Sequence, residues 1–288
     1  MIDFIRTEEV NHPVMTLCSV LEVPRSTYYN HQSKRPSKRS IENENLKDKI
    51  MKIYLDSKRR YGSPKITQLL NSSLDKPVSI KRVQRLMNNL GIKSIVTKKF
   101  RYHRKTNVSD EGVNLLDQDF TTTDIHQKWV ADITYIYTQN HGWTYLASIE
   151  DLHTRKIVGS AMSTTIDKEL VIKALDQAYF RQRPKPGVIF HSDRGSQYTA
   201  EEFKKRLNDY DMIQSLSDKG NPYDNACIES FHSIIKKEYV HHTRFKTFEE
   251  ARLGCFDFIE GWYNRNRIHG SLNYQTPHEV EKSIRNHQ

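Results

Sequence analysis

The chain has 288 residues, 36% of them hydrophobic and 28% charged, and a formal net charge of +10 at pH 7. That composition is expected of a soluble globular protein of about two domains. No run approaches the roughly 18 apolar residues of a membrane span, and the first ten residues carry Asp3, Glu8 and Glu9 where a secretory signal needs an apolar core. Cys18, Cys227 and Cys255 lie too far apart for a CxxC metal knuckle, and their odd number argues against a disulfide framework.

The charge is unevenly placed. Residues 1–107 hold 23 Lys+Arg against 9 Asp+Glu, a net of +14, whereas residues 108–288 hold 22 against 26, a net of −4. A basic front of this density is the footprint of a polyanion binder, with nucleic acid favoured over the alternative of a solvated helix surface.

In chain order, residues 14–21 read as a short apolar helix, Pro24 as a break, and Ser26 as the opening of a second helix. This is a helix-turn-helix outline, one that many helical hairpins share. Residues 31–40 are basic, polar and contain Pro36, as a linker would. Residues 41–55 place Leu46, Ile50, Ile53 and Tyr54 among charges, which predicts an amphipathic helix. After the turn at Tyr61-Gly62-Ser63, Pro64 is placed to open a helix over 65–71. Ser79 can cap a further helix over 80–90, with Val83, Leu86 and Leu90 as its core stripe and Gly91 as its stop. Lys81, Arg82 and Arg85 lie on its other faces and are candidate DNA contacts, with a solvated basic face as the alternative. Residues 98–107 interleave basic and aromatic side chains and could track a phosphate backbone or simply be solvated.

From about residue 124 the character changes. Residues 128–139 are rich in β-branched and aromatic types, Asn140-His141-Gly142 is a turn, and residues 143–150 read as the second strand of a hairpin. A strand over 156–163, a helix over 167–180, a strand over 187–191, a helix over 201–210, a strand over 212–216 and a helix over 225–240 follow. The pattern predicts an α/β sheet whose first strands are antiparallel.

Three carboxylates stand out. Asp132 is central in the first strand, Asp193 sits just past the fourth, and Glu229 is early in the helix from 225, with 35 residues between the last two. If the first and fourth strands lie side by side, Asp132 and Asp193 meet, and Glu229 can reach them from an adjacent helix. Phosphodiester chemistry requires hard oxygen ligands for divalent metals, and converging carboxylates without a charge partner favour a cation between them. Glu229, Ser233 and Lys236 stand at i, i+4 and i+7 on one helix face, beside a core stripe of Ile228, Phe231 and Ile235. Lys236 could hold a DNA phosphate or base, or be an ordinary surface lysine.

The surrounding words are Trp129-Val-Ala-Asp132-Ile-Thr134, His191-Ser-Asp193-Arg-Gly195-Ser-Gln197-Tyr198 and Asn221-Pro-Tyr-Asp224-Asn225-Ala226-Cys-Ile-Glu229-Ser230-Phe231. In this order they resemble the DDE catalytic core of retroviral-integrase-like transposases. Trp262-Tyr263-Asn264-Arg265-Asn266-Arg267-Ile268-His269-Gly270-Ser271-Leu272, then Thr276-Pro277 and Glu279, are similar to the tail of the OrfB transposases of insertion-sequence family three. The resemblance spans nearly the whole chain.

It implies an RNase H-like core, a mixed five-stranded sheet with flanking helices, preceded by all-α helix-turn-helix units. The expected division is an N-terminal unit and linker at 1–38, a DNA-binding domain at 39–97, a linker at 98–123 and the core with a helical tail at 124–288. By the resemblance, Asp132, Asp193 and Glu229 would be catalytic and bind two Mg²⁺, with Mn²⁺ able to substitute, and Lys236 would match a basic position seven residues after the glutamate. The implied activity is hydrolytic cleavage at the ends of the element, then attack of the freed 3′-OH on target DNA. The implied partners are double-stranded DNA, carrying the terminal inverted repeats or the target, other copies of the chain on DNA, and an upstream OrfA protein or fusion. The implied location is the bacterial cytoplasm, at the nucleoid when bound to DNA. A non-catalytic, repressor-like binder retaining the fold is the alternative, and a nuclease acting on RNA–DNA hybrids is a weaker third reading, because helix-turn-helix motifs dock in the B-form major groove.

Asp151 reads as structural rather than as a ligand, and Asp224 and Asn225 as turn and helix-cap residues. His191 is either an orienter of Asp193 or a satisfied core histidine. For Arg267 and His269, DNA contact and packing are both open.

Overall fold

The computed structural model describes residues 1–33, 36–96, 113–218 and 222–286, the side chains of Pro222 and Tyr223 excepted. The basic stretch at 98–107 lies outside the described residues.

Three short helices, α1 (Ile2–Glu8), α2 (Val14–Val20) and α3 (Arg25–Gln32), close on a small core of Ile5, Cys18 and Tyr28. Pro13 and Pro24 stand at the N-caps of α2 and α3, where no intrahelical N–H is needed. The α2–α3 pair matches the helix-turn-helix outline of the sequence. Helix α1 was not legible: it has seven residues and no side-chain cap. The Tyr28 hydroxyl donates to the Glu9 carboxylate just beyond α1 and ties it down.

The next unit is α4 (Lys38–Asp56), α5 (Ser63–Asn71) and α6 (Ile80–Asn89). Ser37 and Ser79 accept N–H bonds from Ser40 and Arg82, capping α4 and α6. Pro64 sits in the first turn of α5. Leu46, Ile50 and Tyr54 of α4 meet Ile66 and Leu70 of α5 and Val83, Leu86 and Met87 of α6. The linker expected over 31–40 is short, since α3 runs to Gln32 and α4 starts at Lys38.

The remainder is built on one five-stranded sheet: β1 (Lys128–Thr138), β2 (Gly142–Asp151), β3 (Ile157–Ser163), β4 (Ile189–Ser192) and β5 (Ile213–Leu216), in the order β3-β2-β1-β4-β5. Strands β1 to β3 form an antiparallel meander, and β4 and β5 join parallel to β1. This is the mixed sheet with antiparallel first strands that the sequence pattern predicts. Parallel pairing of β4 on β1 requires a crossover, supplied by α7 (Lys168–Gln182). Short α8 (Ser196–Thr199) and α9 (Glu201–Asp209) connect β4 to β5.

Alternation along the strands sends Trp129, Ala131, Ile149, Val158 and Phe190 to one face, against α7 and α9. Gly159 permits the close approach of α7, because a Cβ there would stand 2.3 Å from the Ala174 carbonyl oxygen and 2.8 Å from the Ala178 Cβ. Val130, Ile136, Leu146 and Ile157 face the other way, into the cluster shared with α10 (Ala226–Glu238) and α11 (Phe248–Phe256), which continues as a π-helical segment over Asp257–Tyr263. The last helix, α12 (Pro277–Arg285), starts with a reciprocal capping box between Thr276 and Glu279 and Pro277 in its first turn. That is the physical content of the Thr276-Pro277 and Glu279 tail motif. No helix among the described residues is long and apolar enough to cross a membrane.

The cluster on this second face also contains the buried side chains of α4, α5 and α6, so the helical front and the sheet share one core. Polar contacts reinforce the seam. Arg60 stacks over Phe258 and Trp262, at 5.0 and 4.7 Å, and its Nε donates to the Glu238 carbonyl at 3.2 Å. The Tyr61 hydroxyl donates to the Asn266 carbonyl and accepts from the Ile268 N–H, both at 3.0 Å. The Glu238 carboxylate receives Arg267 through Nε and Nη2, at 3.1 and 2.9 Å, and the Trp262 indole N–H at 3.2 Å.

Two buried carboxylates generate stability predictions. Glu238→Ala leaves the Arg267 guanidinium buried without its partner, so urea denaturation should show a loss of about 3–5 kcal/mol. Glu150 on β2 is fully buried, and that burial pushes its carboxyl up to about 7 from the ordinary 4.5, despite Arg155 at 3.3 Å. Between these values the folded chain holds a proton that the unfolded chain has released. The contribution of Glu150 to stability therefore declines as pH rises from 4.5 to 7, by at most about 1.4 kcal/mol per pH unit. Glu150→Gln should flatten that part of the stability–pH curve; an unchanged slope would assign it to another group.

Candidate active site

The site forms where β1 and β4 part. Their parallel pairing runs from Lys128↔Ile189 to Ala131↔Ser192 and stops there. Asp132 and Asp193 are the next residue on each strand's path, so the two carboxylates stand at neighbouring positions in a notch at the sheet's centre. Both are half-buried. Asp132 lies between Val130 and Thr134, on the face that α10 covers.

Asp193 is held by its own turn. Its Oδ1 accepts from the Gly195 N–H at 3.0 Å, and the Arg194 Nε donates to the Ser217 carbonyl at 2.7 Å. Gly195 keeps this turn tight, because a Cβ there would meet the Gln197 Oε1 at 2.8 Å and the Asp193 Oδ1 at 3.0 Å. The phenol of Tyr198, in α8, is buried without a hydrogen-bond partner. Burial and the charges of both Asp132 and Asp193 push it well above its usual value, so this one phenol senses both aspartates.

Glu229 lies in the first turn of α10, where a negative charge suits the helix dipole. The start of that helix is pinned to β1 by Asn225, whose Nδ2 donates to the Ala131 carbonyl at 3.0 Å. The sequence suggested a helix cap for Asn225, but its side chain makes no cap bond. The reason is a distant acceptor: β1 has a carbonyl to satisfy at the point where its pairing with β4 ends. Asp224 acts as a turn residue, accepting the Asp218 N–H at 2.8 Å and the Asn114 Nδ2 at 3.0 Å.

Ile228, Phe231 and Ile235 are fully buried, as the stripe predicts. Glu229, His232 and Lys236 occupy positions i, i+3 and i+7 and share the adjoining face. His232 is buried, with Nδ1 3.4 Å from the Asp132 Oδ2 and Nε2 without a hydrogen-bond partner. Burial pushes the Lys236 ammonium below its usual value, and Asp132 partly restores it. The α10 face therefore meets β1 at Asp132. Among the described residues no three His, Cys, Asp or Glu side chains converge closely enough to hold a metal ion. Asp132 and Asp193 stand side by side at the notch, and the structure does not close the three acids Asp132, Asp193 and Glu229 into a cage.

His232 and Tyr198 were missed in the sequence. The i+3 spacing of His232 from Glu229 was an available signal; nothing local to Tyr198 was. His191 is a satisfied core histidine: it is fully buried, bonded to the Ser215 and Ser217 hydroxyls at 2.9 and 3.0 Å, and pushed by burial down to about 4. Asp151 is structural, accepting the His126 and Thr154 N–H groups and the Thr154 hydroxyl. Arg267 and His269 are buried in the seam, which resolves their open reading toward packing. On α6, Lys81 and Arg85 are exposed, whereas the Arg82 guanidinium is bound to Asn43 at 2.8 Å and to Glu42 at 3.0 Å, both on α4.

Comparison with known proteins gives this geometry a lineage. A family model described as an integrase core domain matches residues 123–222, a second of the same description matches 210–277, and an HTH-like domain model matches 40–100. The transposase for insertion sequence element IS904 of Lactococcus lactis subsp. lactis (strain IL1403) is 38% identical over 86% of this chain and 98% of its own length. An insertion element IS600 protein of 31 kDa from Shigella sonnei is 40% identical over 91% of this chain and 96% of its own. The transposase InsF for insertion sequence IS3A of Escherichia coli (strain K12) is 33% identical over 96% of this chain and 97% of its own. Identity at this level, carried across both the helical front and the sheet, extends well beyond a shared core: the chain belongs to the IS3-type transposases, enzymes of the DDE class with an HTH-like domain and an integrase core.

Proposed function

We propose that this transposase binds the terminal inverted repeats of its insertion sequence, cleaves their 3′ ends and joins them to target DNA, with Asp132, Asp193 and Glu229 as the catalytic carboxylates. The observation that carries the reading is the notch between β1 and β4. It holds two half-buried aspartates at neighbouring positions, under the helix whose His232 and Lys236 act on Asp132 and whose first turn carries Glu229.

The donor set suits a hard divalent cation: three carboxylates, with no thiolate among them. Asp132, Asp193 and Glu229 would hold two Mg²⁺, with Mn²⁺ as substitute. Bound there, the ions would supply Lewis-acid stabilisation of the attacking and leaving oxygens of a phosphodiester. The chain's own residues do the rest. Gly195 orients the Asp193 carboxylate, Asn225 fixes the start of α10 against β1, and His232 abuts Asp132 from the helix face. Lys236, drawn toward Asp132, is positioned to hold a phosphate of the DNA end.

In the front, Lys81 and Arg85 are the side chains available to DNA, and Arg82 serves to fix α6 on α4. The working division is a small helical unit at 1–38, the reader at 39–97, a linker at 98–123 and the catalytic part at 124–288. Synapsis of two element ends calls for more than one copy of the chain on DNA, and an upstream OrfA protein or fusion would supply further contacts.

Glu229→Gln should bind labelled element ends as wild type does and lose Mg²⁺-dependent strand joining by several orders of magnitude. Full joining in that variant would sink the triad, and wild-type binding without any metal-dependent product would favour a non-catalytic binder. Replacing Lys81 and Arg85 by alanine together should lower the slope of log affinity against log salt by about 2. Arg82→Ala should instead lower the melting temperature and affect the slope less.

A further inference from the structure

We infer that the outer end of the β1–β2 hairpin is a stacking platform for unpaired DNA bases, with Arg244 and Lys246 beside it for the phosphates. The inference rests on the reading that the notch receives a DNA end, and it adds a place for the single strand next to that end.

Tyr135 and Tyr137 flank Ile136 on β1, so they lie on the sheet face opposite the α10 cluster that Ile136 joins. The register sets Tyr135 across from Tyr145 and Tyr137 across from Trp143. On that face α7 packs against Ala131, Ala147 and Ile149 but leaves the end of the hairpin open. Tyr135, Tyr137 and Trp143 are 45%, 55% and 59% exposed. They form one row: the Trp143 ring stands 5.4 Å from Tyr137 and 6.5 Å from Tyr135, and Tyr135 stands 5.5 Å from Tyr145, each edge to face. Such contacts brace the rings on one another and, at this exposure, leave ring surface for a further partner. Contiguous exposed apolar surface marks an interaction site, whereas single exposed side chains do not.

The charges beside the row select the partner. After α10 the chain returns to β1 at a parallel bridge between Phe245 and Thr138, with the Gln139 N–H donating to the Phe245 carbonyl at 3.0 Å. Phe245 is buried in the α10 cluster, so its exposed neighbours Arg244 and Lys246 point away from that cluster, as Tyr137 does. Among the described residues no ion pair includes either cation. Glu249 and Glu250, next along the chain, are engaged by Arg252 and by the Lys246 backbone N–H, at 2.9 and 2.7 Å. Planar apolar surface beside two unpaired cations fits a polyanion that carries planar apolar groups, which is single-stranded nucleic acid. A duplex keeps its base faces stacked on each other, so only unpaired bases can meet these rings.

The platform adjoins the notch. Tyr135 follows Asp132 by three residues on β1, about 10 Å along the strand. β4 leaves β1 after Ala131 and the bridge to Phe245 falls at Thr138, so no strand of the described residues pairs with this edge of β1 between them. A strand whose cleaved neighbour lies in the notch can pass this open edge onto the aromatic face.

Trp143 reports on its own occupancy, because Trp129 is fully buried and Trp262 is only 7% exposed. The full chain is first saturated with a blunt duplex, which should leave the Trp143 emission unchanged. A single-stranded thymidine oligomer added next should quench that emission and shield it from acrylamide, a readout that needs no variant. Trp143→Phe should bind the oligomer nearly as tightly and lose the quenching. Trp143→Ala and Tyr137→Ala should each weaken oligomer binding about fivefold or more. Arg244→Ala with Lys246→Ala should lower its salt slope by about 1.4. If the oligomer leaves Trp143 as open to acrylamide as before, if the duplex quenches it equally, or if both alanine variants bind the oligomer like wild type, the rings take no bases and the inference fails. If those variants instead change the oligomeric state in sedimentation at unchanged oligomer affinity, the face is a protein interface and the inference fails. Quenching in wild type without any Mg²⁺-dependent joining keeps the platform and sinks the reading of the notch; joining without quenching does the reverse.

Discussion

β1 and β4 pair for four residues in parallel and then separate, and the geometry of the site follows from where that separation falls. Parallel strands must be joined by a crossover, so β4 can reach β1 only after α7 has passed over the sheet. The two chains diverge immediately after Ala131 and Ser192. Backbone groups freed by such a split must find other partners if they are buried. The Ala131 carbonyl takes the Asn225 amide, and the Ser192 carbonyl takes the Ser217 N–H at 2.9 Å. Each of these substitutes belongs to a segment bordering the notch. The same event that exposes two aspartates thus recruits the start of α10 and the turn after β5 to surround them.

The chain uses its acidic residues in two distinct ways. Asp151 is fully buried and accepts three hydrogen bonds, and Glu238 is almost fully buried and gathers an arginine and an indole. Burial of an ion is tolerable only when its lone pairs are met in this way. Asp132 and Asp193 are only partly buried, and their surroundings include an unpartnered phenol and an unpartnered imidazole nitrogen. The contrast separates acids whose lone pairs are met inside the fold from Asp132 and Asp193, which keep part of their surface open at the notch.

Much of this was legible in the sequence because it rests on short-range rules. The β-branched and aromatic run of 128–139, the serine cap at 79, the Pro64 opening of α5 and the Ile228, Phe231, Ile235 stripe all depend on neighbours within two turns or two strands. Asp132, Asp193 and Glu229 stand out by the words around them rather than by charge, since acids are common in the back of the chain. The misses have a common cause. The Arg82 guanidinium is bound by Glu42 and Asn43, some 40 residues away on α4, a restraint that the local pattern of α6 does not show. Asn225 was taken for a cap because its true acceptor is on β1. The seam joining Tyr61 to Asn266 and Ile268 bridges more than 200 residues and leaves no periodic trace.

That seam bears on how this kind of protein can change. A reader tethered by a flexible linker can be exchanged for another without disturbing the enzyme behind it. Here the apolar residues of α4, α5 and α6 continue into those of α10 and the π-helical segment, and Arg60 and Tyr61 are embedded in the far side. Exchanging the HTH-like domain at residues 40–100 for another would therefore require a matching face on residues 258–268, so a change in one half has to be met by a change in the other.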